Sequence, residues 1–397
     1  MVKNESNYDV IIAGAGPAGT SAAIHLALSK LRVLLIEQKE FPRHKLCGEF
    51  ISPECQRHFL DLGVAEQIDL SHPSALVQTV FYSRKGQRLS VPSRWFGGGT
   101  AHGLSRAVMD HVLLQRARAC GVEVLENATI NDLVTIGGRV IGVRVRTEIT
   151  TNEYRAAVTI DATGRARVLS RKVEKQPKSK TRKAKLIAFK THLKHTAVAD
   201  GTCEIYFYPG GYGGLSTVED GLSNLCFIVS APDVVRNHSD ADRVMREVVM
   251  LNPRAAFTLA NTEVSTSWLS ASWEGFGRRS PNPAPGLLAI GDAAAFIDPF
   301  TGSGMLMAME SGQLVAETIV RCTNKSLLTS ESFGKSYLHA YWHKFGSRLR
   351  LCGLLRRVAF APQLVQSAIV ACSRSEGLLN LLARSTRSNS VDLPRAS

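Results

Sequence analysis

The stretch from Tyr8 to Glu37 constrains the fold more than any other part of the chain. It opens with a short run, Asp9-Val10-Ile11-Ile12-Ala13, whose β-branched residues and glycine end are typical of a buried parallel strand. Gly14-Ala15-Gly16-Pro17-Ala18-Gly19 follows, then an Ala- and Leu-rich helix to about Ser29 and a second apolar strand over 32–36. Glycines at this spacing allow a tight turn, close approach of a phosphate and close helix packing. The order strand, glycine turn, helix, strand therefore predicts a βαβ unit that binds a dinucleotide.

Two further details support this prediction. Pro17 stands in the first turn of the helix, where its missing N–H costs least, and the free N–H groups there attract an anion. Glu37 ends the second strand, 18 residues after Gly19, where a carboxylate accepts hydrogen bonds from ribose hydroxyls. We therefore assign these residues to cofactor binding: Gly14, Gly16, Pro17, Ala18, Gly19, Glu37 and Gln38.

Composition limits the class of protein. A chain of 397 residues is long enough for two or three domains. The polar start and the lack of an apolar run of about 18 residues predict neither a signal peptide nor a spanning helix. Eight cysteines without a CxxC pair favour free thiols in a reducing compartment over disulfides or zinc, so we expect a cytoplasmic protein without a metal site.

The formal net charge of +14 is concentrated in two stretches, 171–194 and 333–397, with ten basic residues each. Solvated basic faces explain such stretches, and so does contact with an anionic membrane at its inner surface. No basic motif with interleaved aromatic residues is present, so we do not expect a nucleic-acid partner.

Periodicity along the chain predicts an α/β protein. A Gly137-Gly138 hairpin signal and buried strands at 157–161 and 287–290 continue the first unit. Runs of alternating residues after position 186 predict a mostly antiparallel sheet. We expect a discontinuous cofactor domain (1–70, 100–175 and 280–330), a substrate-binding sheet domain (71–99 and 176–279) and a basic helical tail (331–397).

Four spaced segments carry a family resemblance: the glycine unit with Glu37, Phe41-Pro42-Arg43-His44-Lys45-Leu46-Cys47-Gly48, Leu104-Ser105-Arg106 with Asp110, and Gly291-Asp292-Ala293-Ala294 followed by residues 298–304. Over about residues 8–320 the chain resembles the flavoprotein superfamily of aromatic-ring hydroxylases, geranylgeranyl reductases and flavin-dependent halogenases. The resemblance implies FAD bound in a Rossmann-like domain, a parallel sheet with a β-meander. The Trp-x-Trp-x-Ile-Pro halogenase motif is absent, because Trp268 and Trp273 have another spacing.

The resemblance also implies individual roles. Arg106 neighbours the FAD phosphates, Asp292 binds the ribityl chain, and the turn at 302–305 meets the flavin pyrimidine, where backbone N–H groups would stabilise negative charge. Ala162-Thr163-Gly164 replaces the Asp-Gly pair that is usual in hydroxylases. These residues join the cofactor-binding set: Arg43, Lys45, Cys47, Arg106, Thr163, Gly164, Gly291, Asp292, Pro299, Gly302, Ser303, Gly304 and Met305.

The resulting hypothesis is an FAD-dependent oxidoreductase that acts on an apolar aromatic, polyketide or isoprenoid molecule, with NADPH or NADH as electron donor. Monooxygenation is the first reading; reduction or desaturation of a C=C bond is the alternative, and a flavin-binding membrane-surface redox protein without enzymatic activity is a further one. Cys47 is the candidate catalytic thiol, because basic neighbours favour a thiolate; a packing role is its alternative. Tyr206 and Tyr208, on one face of a strand, are expected to contact the substrate.

The tail pattern leaves two hypotheses open. Over 337–384, apolar clusters alternate with arginines, Arg348, Arg350, Arg356 and Arg357 among them. Helices with one apolar and one arginine-bearing face either close the substrate cavity or lie on an anionic membrane.

Overall fold

The computed structural model describes residues 7–174, 186–273, 277–298, 302–323 and 331–360, together with the single positions 328, 366, 369, 377 and 380. The strands are β1 Asn7–Ala13, β2 Val33–Ile36, β3 Phe50–Ile51, β4 Ser74–Leu76, β5 Gln78–Tyr82, β6 Arg88–Pro92, β7 Ala101–Gly103, β8 Glu123–Leu125, β9 Thr129–Ile136, β10 Arg139–Arg146, β11 Thr151–Asp161, β12 Leu186–Lys194, β13 Thr202–Tyr208, β14 Gly211–Thr217, β15 Ser223–Ser230, β16 Glu263–Val264, β17 Leu269–Trp273, β18 Gly277–Arg278, β19 Leu287–Ala289 and β20 Ala295–Phe296. The α-helices are α1 Pro17–Leu28, α2 Cys55–Leu62, α3 Ala65–Leu70, α4 Arg106–Ala119, α5 Ser170–Val173, α6 Ala231–Arg236, α7 Ala241–Glu247, α8 Pro253–Thr258, α9 Gly304–Thr323 and α10 Glu331–Ala359.

The first sheet has the order β8-β2-β1-β11-β10-β9, with β19 pairing to β11 as well. β8, β2, β1, β11 and β19 run parallel, and β9 and β10 form the antiparallel hairpin that the Gly137-Gly138 signal predicts. Both faces are buried, which explains the uninterrupted apolar run of β1: Val10 and Ile12 belong to one core and Ile11 and Ala13 to the other. Helices α1, α4 and α9 cover the first of these cores.

The second sheet has the order β16-β12-β15-β14-β13-β5-β6, with β17 on β12. Its neighbouring strands are antiparallel except for β13 and β5, which run parallel. One face, the back face, packs on α6–α8 through residues such as Leu215 and Phe227. The opposite face, the front face, packs Phe207 and Ile228 against Leu46 and Phe296 of the first domain. The α/β class, with a parallel sheet, a meander and a mostly antiparallel second sheet, is confirmed.

Helix α10 is the part of the predicted tail that the structure describes most fully. Tyr337, Tyr341 and Phe345 are buried in the same core as α9. Arg348, predicted on an exposed basic face, is instead buried and donates to Glu310 of α9 at 2.8 Å. The buried aromatic residues and this ion pair therefore hold α10 against α9. The helix that the sequence predicts beyond residue 360 lies outside the described residues, apart from single positions. None of the helices in the described ranges combines the length and apolarity that a bilayer crossing requires.

Candidate functional site

The glycine turn after β1 is fixed by close backbone contacts. Gly14 has φ 101°, and a Cβ there would lie 2.5 Å from the carbonyl oxygen of Ala162. A Cβ on Gly19 would lie 1.9 Å from the carbonyl oxygen of Gly14. Neither position accepts a side chain, so the turn is folded tightly between β1, α1 and the end of β11.

The N-terminus of α1 lies beside Arg106. Gly16 is its N-cap and, among the described residues, supplies no side-chain cap. The nearest atom to a Cβ on Gly16 is Nη2 of Arg106, at 3.7 Å. The first N–H groups of α1, those of Ala18 and Gly19, have no preceding helical turn to bond to, and a guanidinium lies near Gly16, a combination that suits an anion.

Glu37 connects this turn to the loop that follows β2. Its Oε2 accepts from the N–H of Ala15 at 2.9 Å and lies 3.5 Å from Nη2 of Arg43, while Oε1 accepts from the N–H of Lys39 at 3.1 Å. Glu37 is buried at the cleft and Gln38 beside it is exposed. The carboxylate is thereby held where the second strand ends, as the sequence predicts.

Arg43, Arg106 and Asp110 form the next group. Arg106 binds Asp110 through two bonds, Nε to Oδ1 at 2.6 Å and Nη2 to Oδ2 at 2.7 Å. Burial alone would lower the pKa of Arg106, but Asp110, with a further contribution from Cys47, raises it. Within the described residues, Nε and Nη1 of Arg43 are buried without a hydrogen bond. These are donors that an anion can use.

Lys45, Arg165 and Asp292 line the same cleft. Burial, reinforced by Arg43 and Arg106, lowers the pKa of Lys45, although its side chain is reached by solvent. A side chain that is surrounded by protein and still wet lies in an open cleft. Burial likewise raises the pKa of Asp292, against the opposing effect of Arg165, Arg106 and Lys45. Arg165 has no motif that marks it in the sequence, and its place was missed.

The Thr163-Gly164 segment serves the fold first. Thr163 donates from its N–H to Oδ1 of Asp161 at 3.1 Å, and its Oγ1 accepts from the N–H of Val168 at 2.8 Å. Oδ2 of Asp161 accepts from the N–H of Ser170 at 2.8 Å. The side chain and the N–H of Thr163 are therefore both committed to the end of β11, and no described atom lies within 4 Å of a Cβ built on Gly164.

The second glycine turn leads into α9. Gly291 has φ 56° and donates from its N–H to Oγ of Ser311 at 2.9 Å, which places Asp292 near the start of α1. Gly302, Ser303, Gly304 and Met305 form the entry to α9, and among the described residues no atom lies within 4 Å of a Cβ built on Gly304. Pro299 lies outside the described residues. Gly291 therefore lies between the first turns of α1 and α9, since a Cβ there would lie 3.0 Å from Cβ of Ala18 and 3.9 Å from Cβ of Ala308.

Cys47 lies where the cofactor loop meets the second sheet. Its Sγ accepts from the N–H of Glu49 at 3.4 Å, and its carbonyl oxygen accepts from Nδ2 of Asn224 at 3.1 Å. The effect of Cys47 on the pKa of Arg106 and of Arg165 shows that the thiol lies close to both guanidinium groups.

The front face of the second sheet has an apolar half and a polar half. The apolar half holds Ile205, Phe207, Tyr212 and Ile228, joined by Phe296, Phe360 and Ile369. The polar half holds Lys190, His192, Asn224 and Cys226, and burial raises the pKa of Cys226 to about 12. A cavity of about 440 Å³ continues beside the apolar half, between α10 and the segment 296–298.

Tyr206 and Tyr208 lie on the face of the second sheet that α6–α8 cover. Both are buried on the back face, where Tyr206 donates to Oε2 of Glu204 at 2.6 Å and Tyr208 to the carbonyl oxygen of Ile228 at 3.1 Å. Because residues of a strand alternate between its faces, Ile205 and Phe207 take the front face instead. The sequence predicts that one face of this strand contacts the substrate without deciding which, and the contact of Tyr206 and Tyr208 with substrate stays a prediction.

The arrangement fits FAD. The N-terminus of α1 and the donors of Arg43 and Arg106 suit a pyrophosphate, and Asp292 suits the hydroxyls of the linking sugar chain. The carboxylates described around the cleft are fewer than the basic side chains, which are Arg43, Lys45, Arg106 and Arg165. The net positive charge of these groups favours an anionic ligand.

Comparison with known proteins relates part of the chain to FAD-dependent enzymes. Residues 9–172 match the family described as FAD dependent oxidoreductase. Digeranylgeranylglycerophospholipid reductase 2 of Methanopyrus kandleri is 27% identical over 86% of this chain and 84% of its own length. Conditioned medium factor receptor 1 of Dictyostelium discoideum is also 27% identical, over 86% of this chain and 69% of its own. The structure of the flavin-dependent brominase Bmp2 superposes with a TM-score of 0.80 at 22% identity, over 96% of this chain and 94% of that one, which shows a shared fold.

Proposed function

We propose that this chain, an FAD-dependent oxidoreductase, hydroxylates an apolar small molecule. The observation that carries the proposal is the apolar half of the front face. Phe207, Tyr212 and Ile228 face Phe296, only a few residues before the glycine turn of α9. An aromatic, polyketide or isoprenoid body fits such a wall.

The protein's part in this reaction is to bind, orient and exclude water. FAD, when bound, supplies the two-electron chemistry. Arg43, Arg106 and the start of α1 would hold its pyrophosphate, and Asp292 its ribityl hydroxyls. Tyr212 donates to Asp298, and Nε of Arg356 from α10 lies 3.4 Å from the same carboxylate. These contacts draw the sheet and α10 together over the substrate space, which keeps water away from the reacting atoms.

Reduction of a C=C bond is the second candidate, and the position of Cys47 favours it. Such a reduction adds a hydride to one carbon and a proton to the other, so it needs a proton donor at the substrate. The thiol of Cys47 lies between the cofactor loop and the polar half of the front face, and can hold that proton. The named reductase relative of M. kandleri supports the same candidate.

Two experiments test the proposal. The purified protein should be yellow or should bind added FAD. We propose NADPH or NADH as the electron donor, and anaerobic titration with each should show which of the two reduces the flavin. With geranylgeraniol and 1-naphthol as probes, hydroxylation adds one oxygen atom to the product, whereas reduction adds two hydrogen atoms. A colourless protein that FAD does not reconstitute would refute the central claim, and a hydrogenated product would select the second candidate.

We also propose a cytoplasmic protein that binds anionic membranes peripherally, through α10. Arg350, Leu354 and Arg357 are exposed on this helix at spacings of four and three residues, so they share one face. Flotation of the full chain with phosphatidylglycerol or phosphatidylcholine vesicles tests this. We expect the protein to float with the anionic vesicles at low salt and not at high salt. If it does not float with anionic vesicles at low salt, the proposed membrane binding is wrong.

A further inference from the structure

A buried ionic cluster on the front face is not used by the proposed function. Its centre is Glu49, which is fully buried. Oε1 of Glu49 accepts from Nζ of Lys190 at 2.7 Å, and Oε2 lies 2.7 Å from Nε2 of His192. Lys190 and His192 are themselves buried, with 1% and 2% of their surfaces exposed. The cluster is therefore sealed from solvent.

This one carboxylate joins three parts of the molecule. Glu49 belongs to the cofactor loop, Lys190 and His192 to β12 of the second sheet, and a third bond comes from the N–H of Arg106, the first residue of α4, at 2.8 Å. Arg106 is the residue whose guanidinium faces Gly16. Glu49 thus links the phosphate side of the cleft to the sheet that forms the substrate wall.

The backbone of Glu49 extends the link to Cys47. Glu49 has φ 54°, a left-handed conformation that non-glycine residues adopt uncommonly. In this conformation its carboxylate meets the sheet while its N–H donates to Sγ of Cys47 at 3.4 Å. On the other side, Asn224 of β15 binds the carbonyl oxygen of Cys47. Cys47 is held at its thiol by the N–H of Glu49 and at its carbonyl oxygen by Asn224, and the second sheet fixes both groups.

The ion pairs of Glu49 fix the distances between their partners more than they stabilise the fold. Burial raises the pKa of Glu49, but His192, Lys190 and the N–H of Arg106 outweigh it and lower that pKa, so the carboxylate is ionised. Buried ion pairs add little net stability compared with apolar residues of the same size, because desolvation offsets their attraction. They do demand fixed distances, which apolar packing does not.

We propose that Glu49 is a positioning residue, which sets Cys47 and Arg106 at fixed distances from the front face so that cofactor and substrate are held in register. The proposal rests on FAD occupying the cleft, and it holds for hydroxylation and for reduction alike.

Four variants of the FAD-bound protein test it. Glu49→Gln removes the charge and keeps the shape. Glu49→Asp keeps the charge and shortens the reach. Glu49→Met with Lys190→Met removes both members of the Glu49–Lys190 pair, so neither of these two charges is left buried without the other. Glu204→Gln is the matched control, because Glu204 is an equally buried glutamate that pairs with Arg254 on the back face.

The readouts are the alkylation rate of Cys47 by iodoacetamide, followed by mass spectrometry, and the dissociation constant of FAD. Neither requires turnover, so failure of the proposed reaction does not affect them. We expect Glu49→Gln and the double variant to raise the alkylation rate about tenfold, since the loop opens locally more often, and to weaken FAD binding. Glu49→Asp should fall between these and the wild type, and Glu204→Gln should change neither readout.

Two results would overturn the proposal. In the first, Glu49→Gln shows the same alkylation rate and FAD affinity as the wild type, and so does whichever of the other two Glu49 variants folds. The other is an equal change in Glu204→Gln, which would show that general loss of stability, and not the position of Glu49, moves the thiol.

Discussion

The two faces of the second sheet each bury a glutamate, and they use it differently. On the back face, Glu204 binds Arg254, Tyr206 and Thr258, all of which belong to the sheet or to the helix α8 that covers it. On the front face, Lys190 and His192 find their glutamate 141 and 143 positions away, in the cofactor loop. The buried charges of the back face find their partners within the second sheet and its helices, whereas those of the front face find theirs in the other domain. Changes on the back should therefore affect stability, and changes on the front should affect binding and chemistry.

The largest effect is expected on the back face. Glu204→Gln leaves the buried part of the Arg254 charge without its carboxylate, and should lower the free energy of unfolding by about 3 kcal/mol. FAD affinity should be unchanged. Chemical denaturation and FAD titration measure the two quantities. Loss of FAD binding at temperatures where the variant is folded would show that the back face also serves the site.

A second comparison concerns two aspartates. Asp292→Ala should weaken FAD binding by about ten- to a hundredfold, because it removes hydrogen bonds to a charged group at the ribityl chain. Asp240→Ala removes the N-cap of α7, whose side chain accepts from the N–H of Arg243, and should cost about 1 kcal/mol of stability with FAD binding intact. Equal FAD affinity in the two variants would move the ribityl assignment elsewhere.

Neighbouring residues of β13 give a finer test. Tyr208→Phe loses one buried hydrogen bond on the back face, about 1 kcal/mol, and should leave product formation unchanged. Phe207→Leu on the front face should cost less than about 1.5 kcal/mol and alter the KM for the substrate. Steady-state kinetics on the probe substrates measure this. An altered KM in Tyr208→Phe alone would place the substrate on the other face.

The smallest effect is a pH dependence at Lys45. Its pKa is lowered in the protein by burial and by Arg43 and Arg106, so between the lowered and the ordinary pKa the amine is neutral in a larger fraction of folded than of unfolded chains. The lowered pKa means that the folded state binds fewer protons than the unfolded one there, so this group makes the FAD-free fold more stable as the pH rises toward the ordinary pKa. The phosphates of FAD favour the charged amine again, so binding should take up a fraction of a proton. Calorimetry in two buffers of different ionisation enthalpy measures it; uptake that persists in Lys45→Met would assign it to another group.

The features that depend on residues close together in the sequence could be predicted from it. The glycine turn, Glu37 and the entry to α9 follow from strand and helix signals within short segments, and the structure places them at one cleft. The partners of Glu49 could not be found in this way, because Lys190 reads in the sequence as one of ten basic residues in a solvated stretch. Arg348 was misjudged for the same reason, since its partner Glu310 lies on another helix. The faces of Tyr206 and Phe207 depend on which side of the sheet the helices cover, and a period of two cannot decide that.

The single parallel pair of the second sheet has a consequence for synthesis of the chain. β5 leaves the ribosome early, and its partner β13 follows only after about 120 residues, as the bond between Gln78 and Thr202 shows with its separation of 124 positions. Until then one edge of the β5–β6 hairpin has no strand to pair with, and open edges invite association with other chains. Gln78, Ser90 and the charged turn Arg84-Lys85 keep that hairpin polar on one side. Folding of the second sheet is thus delayed until most of the first domain has been made, and the protein should be most prone to aggregation in that interval.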